Sequence, residues 1–246
     1  MKRALIAAAV AAAVTAASGP AAAAEESPFS ANVSIVSDYK FRGLSQTNAE
    51  PALQGGFDYA HPSGFYLGTW ASSISWLSDG APDVSSSMEW DFYGGYSGTV
   101  GDFGYDVGLL YYYYPGSYPG GFNSPDTLEA YIKGSWKFLS LKYSHSLTDL
   151  FGANDSKGSG YLDLGAEFPL ANGFTVAAHV GHQEIKGMAG PCDKYVDYSL
   201  GVSKNFGGFD FGLTYVDTDY EDQCMTNAFN EKLGKGTVVL SIGKSF

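Results

Sequence analysis

Apolar and polar side chains alternate along most of the chain, which is typical of β-strands whose two faces meet different surroundings. The last segment shows the alternation most clearly, because Val238, Leu240 and Ile242 share one face while Thr237 and Ser241 lie on the other. The same alternation predicts twelve strands, near residues 31–42, 51–60, 64–76, 88–98, 103–113, 127–138, 139–148, 159–168, 173–183, 195–205, 208–217 and 235–246. Each is close to the roughly 9–11 residues that a tilted strand needs to cross a bilayer.

The connections between these strands alternate in length, with six longer loops and five short turns. Residues 61–63 and 206–207 are short turns, whereas residues 114–126 and 218–234 are long loops. Outer-membrane barrels have short periplasmic turns and longer extracellular loops, and a soluble β-sandwich gives no reason for such strict alternation. Main-chain polar groups in lipid must all be paired, so a spanning sheet has to close on itself. The chain is therefore predicted to be all-β, a transmembrane antiparallel up-and-down β-barrel of about twelve strands.

Aromatic residues cluster at both ends of the predicted strands, where a membrane barrel carries its interfacial girdles. The girdle at the short-turn ends would contain Phe57, Tyr59, Tyr96, Phe103, Phe168, Phe174, Phe209 and Phe246. The girdle at the long-loop ends would contain Phe41, Trp76, Trp90, Tyr111 and Tyr113. This distribution favours a barrel in a membrane over a soluble sandwich rich in aromatic residues.

The start of the chain has the features of a cleaved signal peptide. A positive start at Lys2 and Arg3 is followed by an almost unbroken apolar run and by three alanines at 22–24. A retained anchor is the alternative, but the apolar run is shorter than the roughly 20 residues that a spanning helix needs. We therefore expect residues 1–24 to be a signal peptide and residues 25–246 to be a barrel in the outer membrane of a Gram-negative bacterium.

The chain is acidic, with 14 basic and 26 acidic residues and a formal net charge of −12. Loss of Lys2 and Arg3 with the signal peptide would make the mature chain more acidic still. Nucleic-acid binding needs a basic surface, so this charge balance argues against it. The 18 Tyr, 16 Phe and 32 Gly are instead typical of an exported barrel.

Charged residues on the polar faces of the strands are expected to line the lumen, because a charge on the lipid face is costly. This assignment predicts a lumen lined by Asp38, Arg42, Glu89, Asp91, Asp106, Lys133, Lys137 and Lys142. One hypothesis is a constriction with a basic side, made by the three lysines, and an acidic side, made by Glu89, Asp91 and Asp106. The alternative is a salt-bridged ladder that closes the lumen, since twelve strands enclose less space than the 16–18 strands of wide porins.

Other polar features lie in the predicted loops. Cys192 and Cys224, the only cysteines, are expected to form a disulfide in an oxidising compartment, with two free thiols as the alternative. Two thiols are too few for a structural metal site, and no cofactor is expected. The acidic run at 217–222 is either a solvated loop or a place where divalent cations bridge to lipopolysaccharide. Residues 114–126, which contain several Pro and Gly, either fold into the lumen or stay exposed.

Several blocks of the mature chain resemble the TorF family of porin-type proteins, a family of bacterial outer-membrane proteins of otherwise unknown function. The most specific block is Ser-Asp-Tyr-Lys-Phe-Arg-Gly-Leu-Ser-Gln at 37–46, and further blocks lie at 51–59, 64–72, 89–96, 113–116, 148–152 and 243–246. The resemblance covers essentially the whole mature chain. It implies an outer-membrane location and a pore, but no particular solute.

The chain end and the surface indicate the partners of such a barrel. Phe246, at the end of an amphipathic last strand, looks like the signal that barrel-assembly machinery reads, although an ordinary hydrophobic terminal residue is the alternative. The expected partners are the lipid bilayer, lipopolysaccharide, the assembly machinery and small polar solutes. The even aromatic coverage shows no stripe that would face another subunit, which favours a monomer.

These observations predict a porin-like channel for the passive diffusion of small polar or charged solutes through a narrow charged lumen. One alternative is a non-conducting structural or adhesive barrel. Another is an outer-membrane hydrolase, which would need Ser, His and an orienting carboxylate within hydrogen-bond reach. His145 has serine neighbours in the sequence, but they point to the other face of its strand. The sequence contains no nucleophile elbow or P-loop, so we predict that the protein is not an enzyme.

Overall fold

The computed structural model describes residues 27–81, 83–224 and 232–246. Within them the strands are β1 (Phe29–Val36), β2 (Lys40–Phe41), β3 (Leu44–Ser45), β4 (Ala52–Ala60), β5 (Phe65–Ser73), β6 (Met88–Val100), β7 (Phe103–Tyr113), β8 (Thr127–Trp136), β9 (Leu139–Ser146), β10 (Gly160–Pro169), β11 (Phe174–Glu184), β12 (Lys194–Phe206), β13 (Phe209–Thr218) and β14 (Thr237–Ser245). A short helix, α1 (Trp76–Gly80), and 3-10 turns at Ala171–Gly173, Gly190–Cys192 and Asp222–Cys224 lie between them. None of these helical segments is long and apolar enough to span a bilayer.

Twelve strands form a closed barrel that is sealed between its first and last strands, β1 and β14. Val33 lies opposite Lys244 at this seam, and Ala31 and Phe246 exchange two main-chain hydrogen bonds of 2.9 and 3.2 Å. The remaining pairs join strands that are consecutive in the chain, except that β4 pairs with β1 across the separate β2–β3 hairpin. A closed ring leaves no sheet edge, as a main chain in hydrocarbon requires. The predicted all-β barrel of twelve antiparallel strands is confirmed.

The outer surface of the barrel is apolar and its interior is polar. Leu67, Leu200 and Leu240 point outward and expose 66%, 59% and 57% of their surface, whereas Glu89 and Asp91 point inward and are buried. A broad apolar belt of this kind is unfavourable in water, and it suits the hydrocarbon of a bilayer. The fold is therefore that of a membrane-spanning barrel of the bacterial outer-membrane class.

The short and long connections lie at opposite ends of the barrel, as the sequence predicted. Residues 101–102, 137–138 and 207–208 are two-residue turns at one end, while residues 114–126 and 147–159 are long loops at the other. The signal peptide predicted for residues 1–24 lies outside the described residues.

The predicted aromatic girdles are present with two exceptions. Trp90, Tyr111 and Tyr113 are exposed at the long-loop ends of their strands, as expected. Phe41 is instead packed inside the barrel, on a different segment from the wall. Trp76 lies in α1 and contacts the ring of Tyr114 edge to face, with 5.7 Å between ring centroids, so it also leaves the lipid surface.

The first strand is shorter than predicted, because β1 ends at Val36 and does not continue to residue 42. At the end of the strand the Ser37 N–H donates to the carbonyl of Leu240, and the Ser37 hydroxyl accepts from the N–H of Leu240, both at 2.9 Å. Beyond this point the chain turns into the barrel. Residues 38–47, which we call the plug hairpin, contain β2 and β3 and are mostly buried in the lumen. The sequence had assigned the first half of this segment to the wall and the rest to an outer loop.

Candidate functional site

The plug hairpin turns tightly at Arg42 and Gly43, whose φ angles are 46° and 81°. Positive φ at both central residues is characteristic of a type I′ turn, whose twist suits a two-residue hairpin. Gly43 also lies against the wall, where a Cβ would stand 2.7 Å from the Cβ of Asp197. Glycine is therefore needed at this position both for backbone conformation and for space.

The tip of the plug hairpin is held by an ion pair on the far side of the lumen. The Arg42 guanidinium donates to both oxygens of Glu129 in β8, at 2.7 and 2.9 Å, and to Oε1 of Gln183 in β11 at 2.7 Å. The Tyr161 ring of β10 lies 4.3 Å from the guanidinium carbon. Burial alone would lower the pKa of Arg42, but the adjacent Glu129 carboxylate raises this pKa above its ordinary value. In this contact Nη2 donates to both Glu129 oxygens and Nη1 donates to Gln183. The tip is thus held by charge-assisted hydrogen bonds, which are stronger than those between neutral groups.

A second contact joins the stem of the plug hairpin to β6. The Tyr39 hydroxyl donates to one oxygen of Glu89, and the Tyr114 hydroxyl donates to the other, both at 2.7 Å. Burial, together with the charge of Glu89, raises the pKa of Tyr39 and of Tyr114 well above the ordinary value for tyrosine. Both hydroxyls therefore stay protonated and remain hydrogen-bond donors.

The other side of the plug hairpin is tied to the last long loop. The Lys40 ammonium donates to the carbonyls of Leu233 and Lys235 at 3.2 and 3.1 Å, and it pairs with Asp38 at 3.4 Å. The Ser45 N–H also donates to the Leu233 carbonyl, at 2.9 Å. Contacts on several sides thus keep the segment inside the lumen.

The fifth and sixth long loops cover the plug hairpin from outside. Leu44 packs with Tyr195 and Tyr220 in a buried cluster that also contacts Cys192 and Cys224. The two cysteines form a disulfide, which is the pairing expected from the sequence. The cluster therefore lies beneath a covalent link between two loops.

The second long loop also covers the plug hairpin, whereas the third stays outside. Ile74, Leu77 and Val84 are buried in the same cluster as Tyr39. Residues 119–124 are exposed, so the tip of the third loop stays outside the lumen, which is one of the two alternatives that the sequence left open. The segment that enters the lumen is the first loop, which the sequence did not indicate.

Two acidic side chains beside the plug hairpin, Glu89 and Asp91, make no ion pair with any described residue. Asp91 is completely buried, and neither of its carboxylate oxygens has a hydrogen-bond partner among the described residues. Glu89, two residues earlier on the same face of β6, accepts only tyrosine hydroxyls in that part of the chain. No group of three or more His, Cys, Asp or Glu within the described ranges could hold a metal ion. The wall beside the plug hairpin is therefore acidic in composition.

Further from the long loops, charges form a diagonal row around the wall. Asp106 lies opposite Lys133 in the register of β7 and β8, and Lys133 lies opposite Lys142 in that of β8 and β9. Asp163 of β10 follows, opposite Lys142. Acidic and basic residues are therefore direct neighbours in this row.

His179 continues the row by linking two carboxylates. Its ring nitrogens lie 3.2 Å from Asp163 and 2.6 Å from Asp197. The Tyr161 hydroxyl also donates to Asp197, at 3.0 Å. Both nitrogens of this histidine are therefore occupied by carboxylates, and the group acts as a cross-link between β10, β11 and β12.

Most residues predicted to line the lumen face it, but one does not. Those that point inward from the wall are Glu89, Asp91, Asp106, Lys133 and Lys142, while Asp38 and Arg42 lie inside the lumen on the plug hairpin. The prediction for Lys137 is wrong, because this residue lies in the 137–138 turn with φ 54° and its ammonium is 4.4 Å from the outward Trp136 ring. The alternation ends where the strand ends, so it gives no direction for a turn residue.

The predicted opposition of a basic and an acidic side is also not found. The acidic residues belong to β6 and β7 and the lysines to β8 and β9, and these four strands are consecutive in the barrel. The register then sets Asp106 directly beside Lys133. The two groups form adjoining sectors of the wall, because facing sides of a twelve-stranded ring would be about six strands apart.

The carboxylates of the acidic run at 217–222 have protein partners, and those of Glu221 and Asp222 are Gln223 and Lys232. Asp217 accepts hydrogen bonds from the hydroxyls of Tyr198 and Tyr215 at 3.0 and 2.7 Å. Asp219 accepts from the N–H of Val196 at 2.6 Å. These two side chains therefore brace the outer ends of β12 and β13.

Sequence reasoning missed several uncharged residues of the lumen, among them Gln183 and two tyrosines. Tyr161 lies over Gly181, and Tyr131 lies over Gly108, so closely that a Cβ on either glycine would collide with the tyrosine hydroxyl. An inward glycine thus lets the ring of a neighbouring strand lie flat on the wall. The available signal was a glycine on the polar face of one strand, beside a tyrosine on the polar face of the next.

The closed sheet, the apolar belt and the charged lumen define a twelve-stranded barrel that spans a membrane. The chain belongs to the family described as "Bacterial protein of unknown function (Gcw_chp)", whose model matches residues 20–246. This description gives no activity, and it does not contain the TorF name suggested by the resemblance. A search of curated protein sequences gave no match.

Solved porin structures share the fold. The KdgM porin is similar with a TM-score of 0.54 and 8% sequence identity, over 88% of this chain and 98% of its own. A KdgM porin described as a complex with disordered oligogalacturonate has a TM-score of 0.53 at 8% identity, over 88% and 98% of the two chains. The NanC porin has a TM-score of 0.53 at 12% identity, over 87% and 97%. The likeness at these identities is one of fold.

Proposed function

We propose that the protein is a porin-like channel of the outer membrane, through which small polar or charged solutes diffuse passively along a narrow charged lumen. The observation that carries this proposal is a polar, charged interior inside a wall that closes without the plug hairpin, so that the segment that obstructs the lumen is separable from the wall. The plug hairpin is docked through Tyr39, Lys40 and Arg42, while the barrel is closed by its own main-chain pairing. Withdrawal of the hairpin towards the long loops would open the lumen and leave the wall intact.

The charge of the lumen favours cations and uncharged polar solutes. Near the plug hairpin the inward acidic residues outnumber the basic ones, and Asp91 has no cationic partner among the described residues. Rings of acidic side chains favour cation passage and oppose anions. The oligogalacturonate named for the KdgM porin is a polyanion. We therefore propose a different solute class for this chain, although the barrels share a fold.

Planar-bilayer recording tests the channel. Wild-type protein should give small or infrequent steps, and a variant with residues 38–47 replaced by a Gly-Ser linker should give larger stepwise openings with a reversal potential of cation preference. The matched control replaces residues 119–122, in the exposed part of the third loop, with Gly and Ser and should behave like wild type. Silence of all three folded barrels would refute the channel.

A non-conducting structural barrel is the second candidate, and it is favoured by the docked plug hairpin, which fills part of the lumen. The same recordings decide between the two. A hydrolase is a weaker candidate, since both ring nitrogens of His179 face carboxylates, and His145 contacts the hydroxyl of Tyr143 at 3.4 Å. We propose that the protein is not an enzyme, and lipase and esterase assays of the purified barrel should give no turnover.

Export and assembly complete the proposal. We propose that residues 1–24 are removed as a signal peptide and that the mature barrel works as a monomer in contact with lipopolysaccharide. Phe246 is offered as the residue that the assembly machinery reads, since it lies at the seam, bonded to Ala31, and exposes 70% of its surface. Mass measurement of the exported protein and blue-native electrophoresis test the first two points, and assembly of a Phe246→Ala variant tests the third.

A further inference from the structure

We infer that the wall site occupied by Arg42 is a binding site for cationic solutes that carry a guanidinium group, with Arg42 as its tethered occupant. This inference rests on the channel proposed above and names its solute class. We call Glu129, Tyr161 and Gln183 the guanidinium pocket. They contribute a carboxylate, an aromatic face and an amide oxygen from three strands of the wall, and Arg42 uses all three.

The amide of the guanidinium pocket is oriented by the wall itself. The Gln183 Nε2 donates to the carbonyls of Gly160 and Glu184, at 3.1 and 3.0 Å. Both amide protons are therefore used by the main chain of β10 and β11. The amide oxygen then points into the lumen as an acceptor whether or not Arg42 is present.

The aromatic face and the carboxylate are also held independently of the plug hairpin. The Tyr161 hydroxyl donates to Asp197 at 3.0 Å, and its ring lies flat over Gly181. The Glu129 carboxylate accepts the hydroxyl of Tyr112 at 3.3 Å. The pocket is thus preorganised, which lowers the cost of binding a second ligand there.

The chemistry of the pocket selects a guanidinium over other groups. A planar guanidinium uses one nitrogen for the Glu129 carboxylate and another for the Gln183 oxygen while its plane stacks on the Tyr161 ring, whereas an ammonium offers one nitrogen and a single compact charge. A urea has the same shape but no charge. When Arg42 leaves, Glu129 loses the one ion pair that it makes within the described residues, so its carboxylate can attract another cation.

Binding to the folded Arg42→Ala protein in detergent tests the inference without any need for current. The probes are ethylguanidinium, ethylammonium and N-ethylurea, measured by titration calorimetry. Ethylguanidinium should bind Arg42→Ala at least about tenfold more tightly than it binds wild type, because Arg42 no longer competes. It should also bind at least about tenfold more tightly than the other two probes, which is the scale of one charge-assisted contact. The Arg42→Ala, Glu129→Gln double variant should lose this preference.

Lys137→Asn is the matched control, because it removes a cation from a turn and leaves the pocket filled. It should bind ethylguanidinium as weakly as wild type. If Arg42→Ala fails to fold, Arg42→Lys serves instead, since a lysine keeps the charge but has no second nitrogen for Gln183 and no plane to stack on Tyr161, and it should show a smaller gain in affinity. Equal affinity of folded Arg42→Ala for all three probes would overturn the pocket even if the barrels conduct. Silent bilayers with selective binding would overturn the channel and support the pocket.

Discussion

The wall of the barrel and the plug hairpin inside it are held by different kinds of interaction. Neighbouring wall strands are joined by continuous ladders, such as the pairing of β11 with β12 from Phe174 and Lys204 to Glu184 and Lys194. The hairpin has no such ladder with the wall. Apart from bonds within the hairpin, its main-chain hydrogen bonds in the described residues join it to loops and to α1, as from Ser45 to Leu233, and it meets the strands through side chains. The wall therefore resists separation in hydrocarbon, while the hairpin can be released by changing single side chains.

The largest expected effect is that of Glu129→Ala, which should weaken the docking of the plug hairpin and leave the wall unchanged. This change leaves Arg42 buried without its carboxylate, and breaking one partner of a buried ion pair costs about 3–5 kcal/mol. The free energy of hairpin docking should fall, whereas the wall should remain paired. Hydrogen–deuterium exchange should quicken in residues 38–47 and stay unchanged in β11 and β12.

Glu50→Ala is the control for that experiment, because Glu50 is an exposed carboxylate at the end of the same loop. Its exchange pattern should match wild type. Equal acceleration in the hairpin and in the wall would show that the two regions are not separable.

The next largest effect is that of Ile132→Lys, which should lower the stability of the wall in the membrane and leave the plug hairpin docked. Ile132 exposes 58% of its surface on the lipid side, where a lysine in the middle of the bilayer costs about 2–4 kcal/mol. The free energy of unfolding from lipid vesicles, measured by urea titration, should fall by that amount. Ser203→Lys, on the inward face of β12, should change it much less. A similar loss in both variants would contradict the assignment of the two faces.

A smaller effect on docking is expected from Gly43→Val. The valine would have to adopt a positive φ and place its Cβ against Asp197, which is strained by about 1–3 kcal/mol. The plug hairpin should therefore undock more often, and the open fraction in bilayer recordings should rise. Gly120→Val, whose Cβ would meet open space in the third loop, should leave gating unchanged. Identical gating in both variants would argue against a hairpin that fits closely.

The smallest effect separates the lumen from the outer surface. Lys137→Asn should change neither stability, within about 0.5 kcal/mol, nor ion selectivity, because Lys137 lies in a turn on the lipid side. Lys133→Asn removes an inward positive charge beside Asp106 and should shift the reversal potential in the direction of greater cation selectivity. The reversal potentials of the two variants are compared with that of wild type in bilayer recordings. A shift with Lys137→Asn would contradict the outer position of this lysine and place it on the ion path.

The wall was predictable from sequence because each of its strands has one face towards lipid and one towards the polar lumen. Apolar and polar residues therefore alternate along it. The segment around residues 37–42 follows the same alternation, so it was read as part of the first strand. Its buried face meets other side chains in the lumen, and alternation does not distinguish that contact from a wall position. The turn at Arg42 and Gly43 also lacks the Asn-Gly pair that commonly marks a two-residue hairpin.

The composition of the lumen was predictable, but its pairings were not. Alternation identified Asp106, Lys133 and Lys142 as inward residues, whereas their order around the ring depends on strand register. Register sets which inward side chains become neighbours, and a sequence read strand by strand does not contain it. The contact between Arg42 and Glu129 joins segments that are far apart in the chain, so it could be found only in the folded barrel.

The seam between β1 and β14 has a consequence for the order of assembly. The plug hairpin leaves the chain directly after β1, and the ring is completed only when the last strand reaches the first. The hairpin can therefore be in place before the later strands pair around it. Its charged tip then does not have to enter a barrel that is already closed. Pairing of β14 with β1 would then enclose the plug hairpin, which is synthesised before all the wall strands except β1.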